Sequence, residues 1–166
     1  MYEWGRGVHV NLREALRWYR VAAERGDPNA EENLAGFYFY GKDVHRDYAQ
    51  AADWLRKAAE QNDAPAQAVL AYIYSNGKGV PRDFAEAAKW AHRSADQGDP
   101  QGQAELASLY ERGTGVPLDY VRAYRLYLLS FRGGNEGIKS KMDELSRIMS
   151  PRQIMEATKV DATAKR

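Results

Sequence analysis

The sequence predicts an all-α protein, a right-handed superhelical solenoid of stacked antiparallel helix pairs. Three observations predict it. Tryptophans stand at positions 18, 54 and 90, one constant spacing apart; glycines, valines, alanines and tyrosines recur at the same offset; and each period holds two stretches of helical periodicity. The repeated segment reads GRGVHVNLREALRW, GKDVHRDYAQAADW, GKGVPRDFAEAAKW and GTGVPLDYVRAYRL in the four successive copies.

The first helix of each period begins after an aspartate N-cap, and a proline stands at or near the first helical position. In the first complete copy, Ala30, Leu34 and Tyr38 recur at the spacing of one helix face, and Gly41 marks the end of the helix. The three predicted N-caps are Asp27, Asp63 and Asp99.

The second helix of each period begins at an asparagine or aspartate and ends near a residue that tolerates the left-handed conformation. Three of its starts have Glu or Gln three residues later, which is the spacing of a capping box. Alanines surround Trp54, and the tryptophans are predicted to lie in the core. The starts are Asn11, Asp47, Asp83 and Asp119, the box partners are Glu14, Gln50 and Glu86, and the ends are Gly26, Asn62 and Gly98.

These recurring residues resemble the Sel-one-like repeat (SLR) family of tetratricopeptide-like helical repeats. The resemblance covers residues 1–134, as a half repeat over 1–26 and repeats from about 27, 63 and 99. Asp43 replaces the second loop glycine, and Leu126 replaces the last tryptophan. The resemblance implies bacterial signalling, envelope or host-interaction scaffolds.

Residues 135–166 depart from the period and are predicted to be capping helices with a frayed tail from Lys159 onward. Asn135 is a candidate cap for a helix that carries Ile138, Met142, Leu145 and Ile148. Ser150 and Gln153 have capping-box spacing before a last helix that contains Ile154 and Ala157.

The composition limits the classes of partner. The net charge is +1, so no large basic field attracts nucleic acid. No stretch approaches the roughly 20 apolar residues that span a bilayer, so no membrane insertion is predicted. The absence of cysteine excludes disulfides and thiolate chemistry. The composition does not determine the cellular compartment of the protein. It is cytoplasmic, or it is periplasmic or secreted if a signal sequence lies upstream.

The loop GKGVPRD looks like a phosphate cradle, but a helix precedes it where a phosphate-binding loop needs a strand. It also recurs with arginine or threonine in place of Lys78. We therefore predict a structural turn in which Gly77 ends a helix, Gly79 turns the chain and Val80 covers the core. No metal, cofactor or catalytic site is predicted, because neither the three histidines nor the serines have partners at a useful spacing.

First helices line the concave face of a helical solenoid, so variable positions on them are the candidates for partner binding. The predicted groove is aromatic at its N-terminal end and polar at the other. Its candidate residues are Trp4, Asn29, Glu32, Phe39, Tyr40, Tyr72, Asn76, Glu111 and Arg112.

The expected function is that of a non-enzymatic scaffold or adaptor that binds a peptide or protein segment in this groove. Aromatic side chains and arginine are favoured anchors at protein interfaces. Two alternatives remain: a weak β-lactam-binding hydrolase, as the resemblance to cysteine-rich relatives implies, and a homodimer that assembles through an uncapped N-terminal edge.

Overall fold

The computed structural model of the protein describes residues 11–159, and Trp4 lies outside them. Within this range the chain is all-α, as predicted, and it contains nine α-helices and no strand. Their bounds are α1 Leu12–Ala23, α2 Pro28–Tyr40, α3 Tyr48–Glu60, α4 Ala64–Asn76, α5 Phe84–Asp96, α6 Pro100–Arg112, α7 Tyr120–Arg132, α8 Lys139–Ile148 and α9 Pro151–Thr158, and a 3₁₀ turn, Glu136–Ile138, precedes α8.

Side chains cap the repeated helices as the sequence predicts. Asp27, Asp63 and Asp99 each accept a hydrogen bond from the backbone N–H three residues later, at the starts of α2, α4 and α6. The second helices α1, α3, α5 and α7 begin after the predicted Asn or Asp, whose side chain likewise accepts a backbone N–H. Each cap satisfies a donor that the first helical turn leaves without a partner.

The predicted capping boxes of the second helices form only half of the motif. The Gln50 side chain donates to the Asp47 carboxylate and not to its backbone. Glu86 instead accepts hydrogen bonds from Lys89 and from the Trp90 indole N–H. Gln50 binds the second carboxylate oxygen of Asp47 because an Asp N-cap, unlike Ser or Thr, has one. The Glu86 carboxylate lies near the Lys89 ammonium and the Trp90 indole N–H and accepts from them. The complete box is the predicted one at Ser150 and Gln153.

Left-handed residues end both kinds of helix. Gly41, Gly77 and Gly113 close the first helices with φ of 70°, 65° and 62°. After the second helices, Gly26, Asn62 and Gly98 have φ of 84°, 71° and 81°. These are the predicted stop positions, and they reverse the chain so that consecutive helices pack side by side.

The helices stack into a solenoid in which each packs on the next along the chain, from α1 to α7. The first helices α4 and α6 also pack directly on each other, and the Phe39 ring of α2 lies beside the Tyr72 ring of α4, so the three first helices share one side of the stack. The contacts between helices are made by small side chains: the alanines at positions 51, 52, 58 and 59 of α3 are fully buried. Alanine lets helix backbones approach closely and bury apolar surface in a thin stack.

The three tryptophans do not share one environment, although all were predicted to be core. Trp90 is 4% exposed and Trp54 is half-buried, but Trp18 is 53% exposed. Trp54 packs against the cluster formed by α1 and α2. Trp18 has no described helix pair on the corresponding side, so the prediction of a core position is wrong for this residue.

The C-terminal helices pack on α7 and end the stack. Leu145 and Ala157 are buried against it, but Ile148 is 62% exposed and does not join the predicted apolar face. Asn135 makes no helix-capping hydrogen bond, contrary to expectation. Its amide donates to Ser130 at the end of α7, because the chain first makes the 3₁₀ turn. The predicted frayed tail falls largely in residues 160–166, outside the described range.

No helix within residues 11–159 has the length and apolar character needed to cross a membrane.

Candidate binding groove

A cavity of about 430 Å³ opens on the side of the stack formed by the first helices. Its walls come from α2, α4 and α6 together, so it exists only because three successive repeats bring their first helices side by side. The lining residues are Phe39, Tyr40, Ala68, Val69, Tyr72, Gln101 and Glu105. We call this cavity the first-helix groove.

Aromatic rings form one wall of the first-helix groove. The Phe39 ring lies 5.0 Å from the ring of Tyr40, 5.2 Å from that of Tyr48 and 6.3 Å from that of Tyr72, measured between centroids. Phe39 is half-buried by these neighbours, whereas Tyr40 is 66% exposed. The cluster therefore holds Phe39 in place and presents Tyr40 at the rim.

A lysine from the repeated loop lies beside this aromatic wall. The Lys78 ammonium donates a 2.7 Å hydrogen bond to the Tyr72 hydroxyl and lies 4.7 Å from the centre of the Tyr72 ring. It also lies 5.3 Å from the Tyr48 ring. The hydrogen bond to Tyr72 raises the pKa of Lys78, so its charge is held at the groove edge. Lys78, the lysine of GKGVPRD, thus contacts protein rings.

Glu105 supplies a carboxyl group to the opposite wall. It is half-buried on α6 and receives a hydrogen bond from Gln101 one turn earlier. Burial raises the pKa of Glu105 to about 7, against the lowering effects of Arg112 and Gln101. Loss of hydration disfavours the charged form, so near neutral pH this carboxyl is divided between its acid and its carboxylate.

A second, smaller cavity of about 200 Å³ lies beside the first and shares Tyr40 with it. Glu32, Asn33, Gly36, Phe37 and Lys42 complete its walls. Burial raises the pKa of Glu32, and the charges of Asp63 and Asp99 raise it further. The carboxylates at the starts of α4 and α6 therefore act on a carboxylate of α2 across the same side of the stack.

The structure brings Phe39, Tyr40 and Tyr72 together in the first-helix groove, with Glu32 in the adjoining cavity. Other candidates from the sequence have different neighbours. Asn29 is exposed, and its carbonyl accepts a hydrogen bond from Asn33.

The candidates near the ends of α4 and α6 bind within the fold. The Asn76 amide donates to the Tyr72 carbonyl and to the Ser75 hydroxyl. Glu111 accepts a 2.6 Å hydrogen bond from the Tyr127 hydroxyl of α7, and Arg112 donates to the carbonyl and hydroxyl of Ser108. These hydrogen bonds within the fold do not support the prediction that Asn76, Glu111 and Arg112 contact a partner.

Sequence reasoning missed Val69 and Glu105, two lining residues of the groove. They occupy the same column of the repeat as Asn33, which lines the smaller cavity. This column varies from Asn to Val to Glu and lies one helical turn after position 29. Its variation and its helical spacing were both visible in the sequence.

The repeated loop is structural, as predicted. Gly77 and Gly79 have φ of 65° and 70°, and Val80 packs against the main core cluster. Within residues 11–159, no group of three acidic, histidine or cysteine side chains is placed to hold a metal ion. Ser94 and Ser130 are buried and donate to the carbonyls of Ala64 and Pro100.

Comparisons with known proteins agree on one family. The model of the Sel1 repeat matches four times, at residues 1–27, 28–63, 64–99 and 100–135. No protein of curated description matches the chain.

Solved structures extend the comparison. The chain is 36% identical, with a TM-score of 0.79, to c5321, a protective antigen present in uropathogenic Escherichia coli strains that displays an SLR fold; the match covers 95% of this chain and 34% of that one. It is 34% identical, with a TM-score of 0.74, to a Sel1 repeat protein from Oxalobacter formigenes, over 86% of this chain and 59% of that one. The cysteine rich protein B of Helicobacter pylori shares the fold, with 23% identity and a TM-score of 0.60 over 80% of this chain and 95% of that one.

This chain spans 34% and 59% of the first two solved relatives, so it matches part of their length. The four family matches cover residues 1–135 without a gap, and the helix pairs of the structure repeat in the same register. The chain therefore belongs to the Sel1 repeat family, whose members are generally non-enzymatic protein-interaction scaffolds.

Proposed function

We propose that the protein is an adaptor that binds a peptide or protein segment along the first-helix groove. The observation that carries the proposal is the three-repeat cavity of about 430 Å³ with Phe39, Tyr40 and Tyr72 in its wall. A volume of this size is in the range of specific ligand pockets. Since three repeats build it, an extended segment that runs across the repeats would contact all three first helices.

The aromatic wall suits a protein partner. Tyrosine and other aromatic side chains are enriched at the centres of interfaces, because they bury a large area with few rotatable bonds. Tyr40 leaves two thirds of its surface exposed, whereas its neighbour Phe39 is already packed against Tyr48. Covering the Tyr40 ring would therefore bury apolar surface without disturbing the fold.

Selection of peptide ligands tests this proposal. A phage-displayed library of random dodecapeptides is selected on the full chain, and the affinity of the enriched peptides is measured by calorimetry. Tyr40→Ala should weaken binding about tenfold or more. Ile148→Ala, which removes an equally exposed apolar side chain from α8, should leave binding unchanged. Circular dichroism should show that both variants keep the helical content of the parent chain.

Tyr72→Ala provides a second variant in the groove wall. It should also reduce the affinity, and its thermal unfolding is recorded because Tyr72 is half-buried and bonded to Lys78. Peptides that bind the Tyr40 and Tyr72 variants as tightly as the parent would contradict the proposal.

A second candidate function is self-association through the face of α1 that carries Trp18. In the stack, Trp54 packs on the α1–α2 pair, and the matching face of α1 leaves Trp18 largely exposed. Because α8 and α9 cover the other end of the stack, the pairing would be between two identical α1 faces. Light scattering over a concentration series should show dimers that Trp18→Ala abolishes; a monomer at all concentrations would exclude this candidate.

A further inference from the structure

We propose that the first-helix groove selects a basic side chain, lysine or arginine, of the bound segment and that Glu105 is its counter-charge. This inference rests on the proposed function and adds the chemistry of the residue that the groove recognises. It follows from the position of an unpaired carboxyl opposite an aromatic wall.

Glu105 has no ion-pair partner among the residues that the structure describes. Arg112 is the cation on its own helix, but this guanidinium donates to the carbonyl and the hydroxyl of Ser108. Its charge lowers the pKa of Glu105 less than burial raises it. The fold thus partly buries this carboxylate without placing a cation in an ion pair with it. A cation of the partner would stabilise the charged form of Glu105.

The rings across the cavity suit the same ligand. A cation over the face of a tyrosine or phenylalanine is attracted by the ring quadrupole, and the attraction is stronger where water is excluded. The fold already uses this interaction at the groove edge, where the Lys78 ammonium lies 4.7 Å from the Tyr72 ring and 5.9 Å from that of Phe39. A basic side chain has a long apolar stem that can lie against Val69 while its charge reaches Glu105.

The charges around the groove oppose an acidic ligand. Glu32 lies in the adjoining cavity, where Asp63 and Asp99 raise its pKa. The charged side chain that lines the first-helix groove itself is Glu105, while Lys42 lines the adjoining cavity and Lys78 lies at the groove edge. An acidic side chain would be repelled by the Glu105 carboxylate, and an apolar one would leave this half-buried carboxylate without a cation.

The pH dependence of binding follows from the groups that face Glu105. Arg112 and Gln101 act from α6, the phenol of Tyr40 lines the cavity from α2, and that of Tyr72 lines it from α4. Of the carboxyls whose pKa the fold raises, Glu105 lines the groove itself and Glu32 lines the adjoining cavity, so we expect ionisation of Glu105 to dominate the pH dependence. With a pKa of about 7, the ionised fraction rises about tenfold from pH 6 to pH 8. If the neutral carboxyl binds a basic peptide about a tenth as well as the carboxylate does, the affinity should rise about fivefold over this range.

The test starts from the selected dodecapeptides, and peptides with histidine are left out. A lysine or arginine should be enriched at one position. Each such peptide is made with lysine at this position, or with norleucine, which keeps the apolar stem and lacks the charge. Both are titrated into the parent chain, into Glu105→Gln and into the control Glu60→Gln, which changes an exposed glutamate on α3. Glu105→Gln keeps the shape and removes a buried charge, so it should fold.

At pH 8, Glu105→Gln should weaken the lysine peptide about tenfold, and norleucine should weaken binding to the parent by a similar factor. The two changes together should cost little more than either alone, which shows that they remove one interaction. Glu60→Gln should change nothing. The roughly fivefold gain in affinity between pH 6 and pH 8 should be largely lost in Glu105→Gln.

The outcomes separate this inference from the proposed function. Peptides that lose affinity for Tyr40→Ala but show no basic preference, or that bind Glu105→Gln as the parent does, overturn the role of Glu105 and leave the groove in place. A selection without peptides sensitive to Tyr40→Ala overturns both.

Discussion

Gly79 lies against the first turn of α3, so close that a Cβ atom on it would overlap the backbone nitrogen of Ala49. The same approach recurs one repeat later, where Gly115 faces the backbone of Phe84. These two loops, which join α4 to α5 and α6 to α7, therefore dock onto the second helix of the preceding repeat. The glycine is required by the contact between repeats as well as by the turn.

Replacing this glycine should destabilise the stack. Gly79→Ala adds a Cβ that meets backbone atoms at a residue with φ of 70°, so we expect a loss of about 3 kcal/mol in the free energy of unfolding. Gly98→Ala is the control, since Gly98 has φ of 81° but no atom within 4 Å of the new methyl group. It should lose only about 1–2 kcal/mol. Urea unfolding measures both, and equal losses would show that the close approach does not matter.

The unequal burial of the tryptophans predicts unequal effects. Trp90→Ala should cost about 3–5 kcal/mol, because the ring is 4% exposed and packs in the main core cluster. Trp18→Ala should cost less than about 1 kcal/mol, because the same position of the repeat is 53% exposed on α1. Thermal unfolding followed by circular dichroism compares them. A large loss with Trp18→Ala would mean that this ring packs against part of the chain outside residues 11–159.

The hydrogen bond from Tyr127 to Glu111 should stabilise the contact of α6 with α7. Tyr127 is 1% exposed and donates to a carboxylate at 2.6 Å, and burial raises its pKa so that it stays a donor. Tyr127→Phe leaves the half-buried carboxylate without this partner, so we expect a loss of about 1–3 kcal/mol. Tyr40→Phe, which removes a hydroxyl from an exposed ring, should leave urea unfolding unchanged. No loss in Tyr127→Phe would show that water replaces the hydroxyl.

Glu105 should make the folded state less stable as the pH rises. Its pKa rises from an ordinary 4.5 to about 7 on folding, so between these values the folded state binds more protons than the unfolded chain. The contribution of Glu105 to the free energy of unfolding therefore falls from about pH 4.5 to 7 and is constant outside this window. Glu105→Gln removes this dependence and should be more stable than the parent above pH 7, by on the order of 2 kcal/mol.

Urea unfolding of the two chains at pH 4 and pH 8 tests this, since other groups titrate equally in both and cancel in the difference. Glu60→Gln controls for the loss of an exposed glutamate. A difference between Glu105→Gln and the parent that is the same at both pH values would contradict the raised pKa.

Caps and stops were predictable from the sequence because they depend on neighbours within one helical turn. Asp27 and Asp63 cap their helices, and Gly41 closes one, as their positions in the period predict. The capping boxes were less predictable, because several donors lie within reach of the Glu86 carboxylate. It accepts hydrogen bonds from Lys89 and Trp90 and not from the backbone at the helix start. Asp43 adopts φ of 53°, so it keeps the left-handed turn of the glycine that it replaces.

By itself, the sequence determined that this protein is a stack of helix pairs and where the helices of the repeats begin and end, because the period, the caps and the left-handed stops act locally. Only the tertiary structure decided which side chains meet across repeats. It placed Glu105 opposite Tyr40 and Tyr72 in one cavity, and it turned Glu111 toward Tyr127 of α7. A side chain's neighbours on other helices depend on the rotation and spacing of those helices, and these are set by how alanines and glycines far apart in the chain allow the repeats to approach.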